Sequence, residues 1–262
     1  MASRQPIANV LPALSSEDVS YVRRLGRRLK ESPPKLKSDR TRMRIRLACA
    51  QVLEERGFHA ARVIDITNAA GLAEGSFYVY FRDKTDAATD VLSSMLDHFG
   101  DILGRPRESD TPFNALRDSN RRWIAYCRQN PGLMRCLLQL GDEVPEFAKL
   151  THRVNRTWYE RVARSVLRRF PRKGLAHGEV LFAVYALGSM MDEIARKLFV
   201  YPDPFFLEML KELALDDEGL ADAASVIWFK ILYPGVRTPT KLSGLAEKLM
   251  AWDGRSPNRK TD

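Results

Sequence analysis

The sequence predicts an all-α protein, with an N-terminal three-helix helix-turn-helix unit and a longer helical half behind it. Three observations carry this. Apolar residues recur three and four apart along most of the chain, with no alternating strand series and no internal repeat. Two short segments, residues 63–70 and 74–81, are divided by Gly71, the arrangement of a helix-turn-helix. Positive charge is concentrated just before them. Residues 21–48 hold eleven Lys/Arg against Glu31 and Asp39, which is the whole net charge of +9. A block of that sign points to a polyanionic partner, against the blander role of a solvated arm.

Taken in order, Ser15 and Ser16 followed by Glu17 and Asp18 read as a helix cap with acids in the first turn. Val19, Val22, Leu25 and Leu29 then make one narrow apolar stripe. The string ESPPKLKS breaks that helix, so residues 1–38 read as a basic extension and linker. Ile45, Ala48, Cys49, Val52 and Leu53 lie on one face of a longer helix that Gly57 ends. A short helix over 63–70 turns Val63, Ile66 and Ala70 inward, and a third spans 74–81. Asp83 caps the next helix, with Asp86 three residues on.

Everything beyond reads as helix. Leu116, Trp123, Ile124 and Cys127 share a face, and Asn130-Pro131 is a cap followed by proline at the first helical position. Leu150, Val154, Trp158, Val162 and Val166 form a row of four-residue steps. Similar rows run from Val180 to Leu198 and from Leu220 to Leu232. After Pro234 the tail turns polar, with one short helix near residues 242–252. The expected divisions are 1–38 (extension), 39–87 (helix-turn-helix), 88–234 (helical domain) and 235–262 (tail).

Composition excludes several classes. With 262 residues and 45% apolar content the chain can bury a sizeable core. No run reaches the roughly 18–20 apolar residues a membrane span needs, and the N-terminus lacks the apolar core of a secretion signal. Cys49, Cys127 and Cys136 are odd in number without a CxxC pair, which fits buried thiols in a reducing cytoplasm. His59, His98, His152 and His177 are scattered and show no metal-ligand spacing. There is no GxxxxGK[ST], no GxGxxG after a strand and no HExxH, so the expectation is no enzyme, no metal and no cofactor.

The stretch AGLAEGSFYVYF, residues 70–81, poses a packing problem: four aromatic rings crowd one short helix. Phe77 and Phe81 stand four apart and share a face. Tyr78 lies about 100° off that face, so the phenyl rings can anchor the helix while the phenols point out. Residues 44–84, RIRLACAQVLEERGFHAARVIDITNAAGLAEGSFYVYFRDK, resemble the N-terminal domain of the tetracycline-repressor (TetR) family of transcription regulators. The resemblance rests on Ala48-Cys49, Gly57-Phe58, Asp65-Ile66, Ala69-Ala70-Gly71, Gly75, Ser76, Phe77, Tyr78, Tyr80, Phe81 and Lys84. The rest of the chain matches the family only in size and helical character.

The resemblance implies a double-stranded DNA operator as partner, contacted by Ala73, Glu74, Gly75, Ser76, Tyr78, Val79 and Tyr80 on the reading helix. Arg42, Arg44, Arg62 and Lys84 would grip phosphates, helped by helix N-termini. Four positions depart from the family. Arg62 replaces a capping threonine, Glu74 a lysine, Val79 a polar residue, and Arg46 an apolar one. Glu74 repels phosphate but can accept from cytosine N4. The basic residues 21–40 are expected to lie along DNA, each neutralised phosphate steepening the salt dependence by about 0.9.

For the helical half the resemblance implies an effector-binding and dimerisation domain. Helices at about 178–199 and 217–233 would pair two copies into a homodimer through Val184, Leu187, Gly188, Met191, Ile227, Trp228 and Ile231. An effector pocket would be lined by Met95, His98, Trp123, Tyr126, Cys127, Met134, Trp158, Tyr185 and Met191, although core packing is the commoner role of such residues. This mix suits an apolar or aromatic small molecule, with Asp192 or Glu193 available to a cation. The implied function is a cytoplasmic, ligand-released repressor. The competing readings are a helical small-molecule regulator without sequence-specific DNA binding, and a nonspecific basic DNA binder.

Overall fold

The structure, a computed structural model, describes residues 19–104, 111–139, 141, 143–169, 175–236 and 241–252. The cap expected at Ser15–Asp18 lies outside the described residues. The chain is all-α, with no strand among the described residues. No described helix is long and apolar enough to cross a membrane. The chain divides into two compact units. The first comprises residues up to 110 together with Arg128–Cys136; the second comprises Thr111–Cys127 and everything from Leu137.

In the first unit, α1 (Tyr21–Glu31) starts at Ser20, whose hydroxyl accepts from the Arg23 amide. It is not a loose extension. Tyr21 and Leu25 are buried, and so is Val19 before them. Asn130 clasps its start, accepting from the Tyr21 amide at 2.7 Å and donating to the Val19 carbonyl at 3.0 Å. The helix α2 (Lys37–Ala60) packs beside α1, and its regular course breaks at Gly57 (φ 75°, ψ 174°), the expected stop. Burial of Ile45, Cys49, Val52 and Leu53 follows the periodicity of the sequence. Farther along α2, the Glu54 carboxylate accepts from the amides of Gly132 and Leu133 at 2.9 and 3.0 Å. Gly132 is required there, since an added Cβ would overlap the Glu54 backbone.

Helices α3 (Val63–Ala70) and α4 (Glu74–Phe77) follow, then α5 (Lys84–Gly104), capped by Asp83 through the Asp86 amide at 2.8 Å. Both α3 and α5 pack on α2. Arg46, at a position the family keeps apolar, has a local explanation. Its guanidinium makes a bidentate pair with Asp90 of α5, at 2.5 and 2.9 Å.

Most of α6 (Pro112–Gln129) belongs to the second unit and most of α7 (Pro131–Gln139) to the first, and the second unit continues with α8 (Pro145–Arg169). Helix α9 (His177–Ala195) runs into a π-helical turn, Arg196–Val200. Next are α10 (Pro204–Glu212), α11 (Asp217–Leu232) and α12 (Gly244–Ala251). One apolar core joins Phe113, Ile124, Tyr159, Val184, Met191, Trp228 and Phe229. Within it, Asp222 of α11 takes paired hydrogen bonds from Arg117 and Arg121 of α6. These bonds satisfy a carboxylate that burial would otherwise leave without partners. Lys230 donates to the Leu249 and Trp252 carbonyls, tying α12 to α11.

Candidate nucleic-acid interface

The turn between α3 and α4 is built around Gly71, in the left-handed region at φ 63°, ψ 45°. Its amide bonds to the Asn68 carbonyl, and the Leu72 amide to that of Thr67, both at 3.0 Å. Arg44 closes the turn from outside, donating to the carbonyls of Ala70 (2.7 Å) and Gly71 (3.4 Å). Four residues of α4 are regular helix, fewer than the 74–81 expected. The Tyr80 and Phe81 amides then bond to the Phe77 carbonyl at 2.9 and 3.0 Å, prolonging the helix by a tightened turn.

That geometry sorts the four rings. Phe77 and Phe81 are sealed, with centroids 5.7 Å apart. Tyr78 is 55% exposed and Val79 76%. Ala73, Glu74 and Gly75 are exposed, and Ser76 and Tyr80 half-buried. Ala73, Glu74, Gly75, Tyr78 and Val79 therefore stand outward on a short, anchored element.

The four cations behave differently from one another. Arg62 is exposed at the start of α3. Lacking an acceptor, its side chain cannot cap; instead Asp65 accepts from the Arg62 amide at 3.1 Å. Arg42 is exposed, with its guanidinium 5.2 Å above the Phe81 ring and a 3.1 Å pair to Asp90. Lys84 donates to the Phe58 carbonyl at 2.8 Å and lies 4.4 Å from that ring's centroid, and burial lowers its pKa. Lys84 and Arg44 thus hold the unit together as well as carrying charge.

The residues expected to line an effector pocket fall into two groups. Met95, His98 and Met134 are buried in the first unit. Trp123, Tyr126, Cys127, Trp158, Tyr185 and Met191 belong to the second. There Tyr126, Cys127 and Met191 are buried, Trp123 and Trp158 half-buried, and Tyr185 is 40% exposed against Tyr159. Of the two acids, Glu193 is exposed and pairs with Arg196 and Lys197. Asp192 is tucked in. Burial pushes its pKa up to about 6, opposed by Arg196 and by a hydrogen bond to Asn155. Sequence reasoning has no signal for Asn155, a polar residue just off the apolar row of α8.

The residues expected to pair two copies are divided, with Ile227 and Ile231 exposed and the others buried. Val184, Leu187, Gly188, Met191 and Trp228 point into the unit's own core, and a Cβ on Gly188 would overlap the Tyr159 ring. The outward residues of the same two helices are Phe182, Tyr185, Ile227 and Ile231. The physical reason is that α9 is apolar around most of its circumference, so periodicity alone does not say which side the monomer covers.

The sequence pattern of the bacterial regulatory proteins of the tetR family matches residues 45–87. Residues 45–87 are a TetR-family domain. Over 59 residues the chain is 39% identical to the HTH-type transcriptional repressor KstR2 of Rhodococcus jostii, covering 22% of this chain and 28% of that protein. The chain spans roughly a third of the length of the curated relatives it matches, 37%, 29% and 28%. Solved structures extend the likeness of fold beyond the TetR-family domain. A transcriptional regulator from Rhodococcus sp. RHA1 superposes with a TM-score of 0.58 at 17% identity, over 72% of this chain and 96% of that one. FadR of Bacillus subtilis, in complex with stearoyl-CoA, gives 0.54 at 18% identity, over 74% and 99%.

Proposed function

We propose that the protein is a ligand-responsive transcriptional repressor that binds a palindromic DNA operator as a homodimer and is released by a small-molecule effector. The observation that carries this reading is the division of the aromatic residues between Phe77 and Phe81, sealed, and Tyr78 with its neighbour Val79, exposed. Tyr78 and Val79 stand side by side, outward on an anchored element, where a partner can reach both. Tyr78 and Ser76 are suited to phosphates or base edges, Val79 to a thymine methyl, and Glu74 to cytosine N4. One such helix reads few base pairs, so two copies related by a two-fold axis supply specificity and impose a palindrome. Phe182, Tyr185, Ile227 and Ile231 supply the exposed apolar face for pairing.

The effector is apolar or aromatic, held among the Trp, Tyr and Met side chains of the helical half. The stearoyl-CoA in FadR makes long acyl thioesters the first class to test. Release follows if the effector prefers one separation of the reading helices over the other. A ligand indifferent to that separation shifts nothing.

The test is a gel shift at about 150 mM salt, comparing DNA upstream of the protein's own gene with a shuffled duplex. Specific binders differ between such duplexes by roughly 10³ or more. Equal affinity would favour a nonspecific basic binder, and no affinity a regulator without DNA binding. Stearoyl-CoA added to the specific complex tests the effector class.

A further inference from the structure

The cations of α1 and the start of α2 have a definite place in the first unit. The beginning of α1 lies far from the reading surface. Tyr21 stacks near His98 at 6.1 Å and Arg24 pairs with Asp101 at 3.6 Å. His98 and Asp101 stand about 21 and 25 Å along α5 from Lys84. From there α1 runs about 16 Å and returns through the short segment 32–36 into α2, against which it packs. The two helices therefore form a hairpin, with the end of α1 beside the start of α2.

That closed end is the reading end. Two residues near the start of α2 touch the helix-turn-helix directly: Arg42 lies over Phe81, and Arg44 bonds to Ala70 and Gly71. Lys37 precedes Arg42 by only about 7.5 Å of helix. Arg40 braces the connecting segment by donating to the Pro34 and Lys35 carbonyls at 3.4 Å. Arg28, Lys30, Lys35 and Lys37 are all exposed at this end.

We propose that this hairpin end is a second DNA-contacting surface, in which Arg28, Lys30, Lys35 and Lys37 bind backbone phosphates flanking the sequence read by α4. The proposal rests on the DNA-binding reading above. It replaces a flexible basic arm by a docked one. Val19, Tyr21, Leu25 and the Asn130 clasp fix α1 before DNA arrives, so little ordering entropy is lost on binding. Lysine and arginine at such positions hold phosphates without reading bases. They add affinity and salt dependence while leaving sequence preference to α4.

Deleting the segment would be a poor test, because it removes core residues. The better variant is R28Q/K30Q/K35Q/K37Q in the full chain. The probes are a duplex recovered by the unsubstituted protein from a random-sequence pool, and a shuffled duplex of equal length. All four side chains are exposed, so the thermal melt should match that of the unsubstituted protein. The expected result is a shallower slope of log affinity against log salt on both duplexes, by about 0.9 for each phosphate that the variant leaves unneutralised. The ratio of affinities for the two duplexes should stay unchanged. An unchanged slope in a variant that still discriminates overturns the proposal and leaves the reading helix intact. A collapse of the ratio with the slope overturns it too, since the four residues would then be reading sequence. If the unsubstituted protein itself fails to discriminate, the regulator account fails first and the proposal with it.

Discussion

Gly188 and Gly26 are both glycines inside helices, yet the structure gives them opposite weights. A methyl group on Gly188 would overlap the Tyr159 ring in the core, whereas nothing lies within 4 Å of the corresponding point at Gly26. Gly188→Ala is expected to lower stability by about 1–3 kcal/mol through overpacking. Gly26→Ala should raise it by about 0.5–1 kcal/mol, the usual gain of alanine over glycine in a helix. Urea titrations of the two variants decide both. Asp192 gives a pH-dependent prediction. Its folded pKa, about 6, lies above that of an unfolded carboxylate, so the folded state holds the proton more tightly. Stability should therefore fall as pH rises from about 4 to about 6, then level off. Asp192→Asn should be stabilising at pH 7–8, on the order of 1–2 kcal/mol, and near neutral at pH 4. A melt series showing no such difference would put Asp192 in water. At this scale the sequence is informative about Tyr78 and Phe77, since a 100° offset on one helix separates a sealed ring from an outward one. It is silent on Tyr159 against Gly188, because the partner lies 29 residues away on another helix.

Among the elements, α1 is where sequence and structure part most. Its stripe of Val19, Val22 and Leu25 is legible, but Pro33-Pro34 makes it read as a detached extension. What docks it is Asn130, 109 residues from Tyr21, a bond that no local pattern encodes. Asn130→Ala removes one acceptor and one donor from buried main-chain partners, at a cost of about 2–4 kcal/mol. Amide exchange across residues 21–31 should then rise more than across 45–53. Equal rises would mean that α1 and α2 open together. Helix α10 escapes the apolar rows but carries a local signal of its own: Asp203 accepts from two amides just ahead of Pro204, the usual opening of a helix. The start and stop of α3 follow from its glycine and periodicity, whereas α4 is shorter than its periodicity suggests because its last turn tightens onto the Phe77 carbonyl.

For the molecule as a whole, the proposed function requires two copies to pair, since one short helix reads few base pairs. The large apolar residues outside on α9 and α11 are Phe182, Tyr185, Ile227 and Ile231, of which only the last two belong to the set expected for pairing. Phe182→Glu combined with Ile231→Lys should give a folded monomer by sedimentation velocity, with operator affinity lowered at least tenfold. A variant that still sediments as a dimer would place the interface elsewhere. The central claim is that the exposed residues of α4 and of the turn after it, Tyr78 among them, read DNA sequence. The most direct measurement is the affinity of the unsubstituted protein and of Tyr78→Ala for a selected duplex and its shuffled counterpart, at about 150 mM salt. The account predicts a ratio of roughly 10³ or more for the unsubstituted protein, and a drop of about tenfold or more in Tyr78→Ala confined to the selected duplex. A ratio near one for the unsubstituted protein, or a Tyr78→Ala variant that binds the selected duplex as tightly as before, would contradict it.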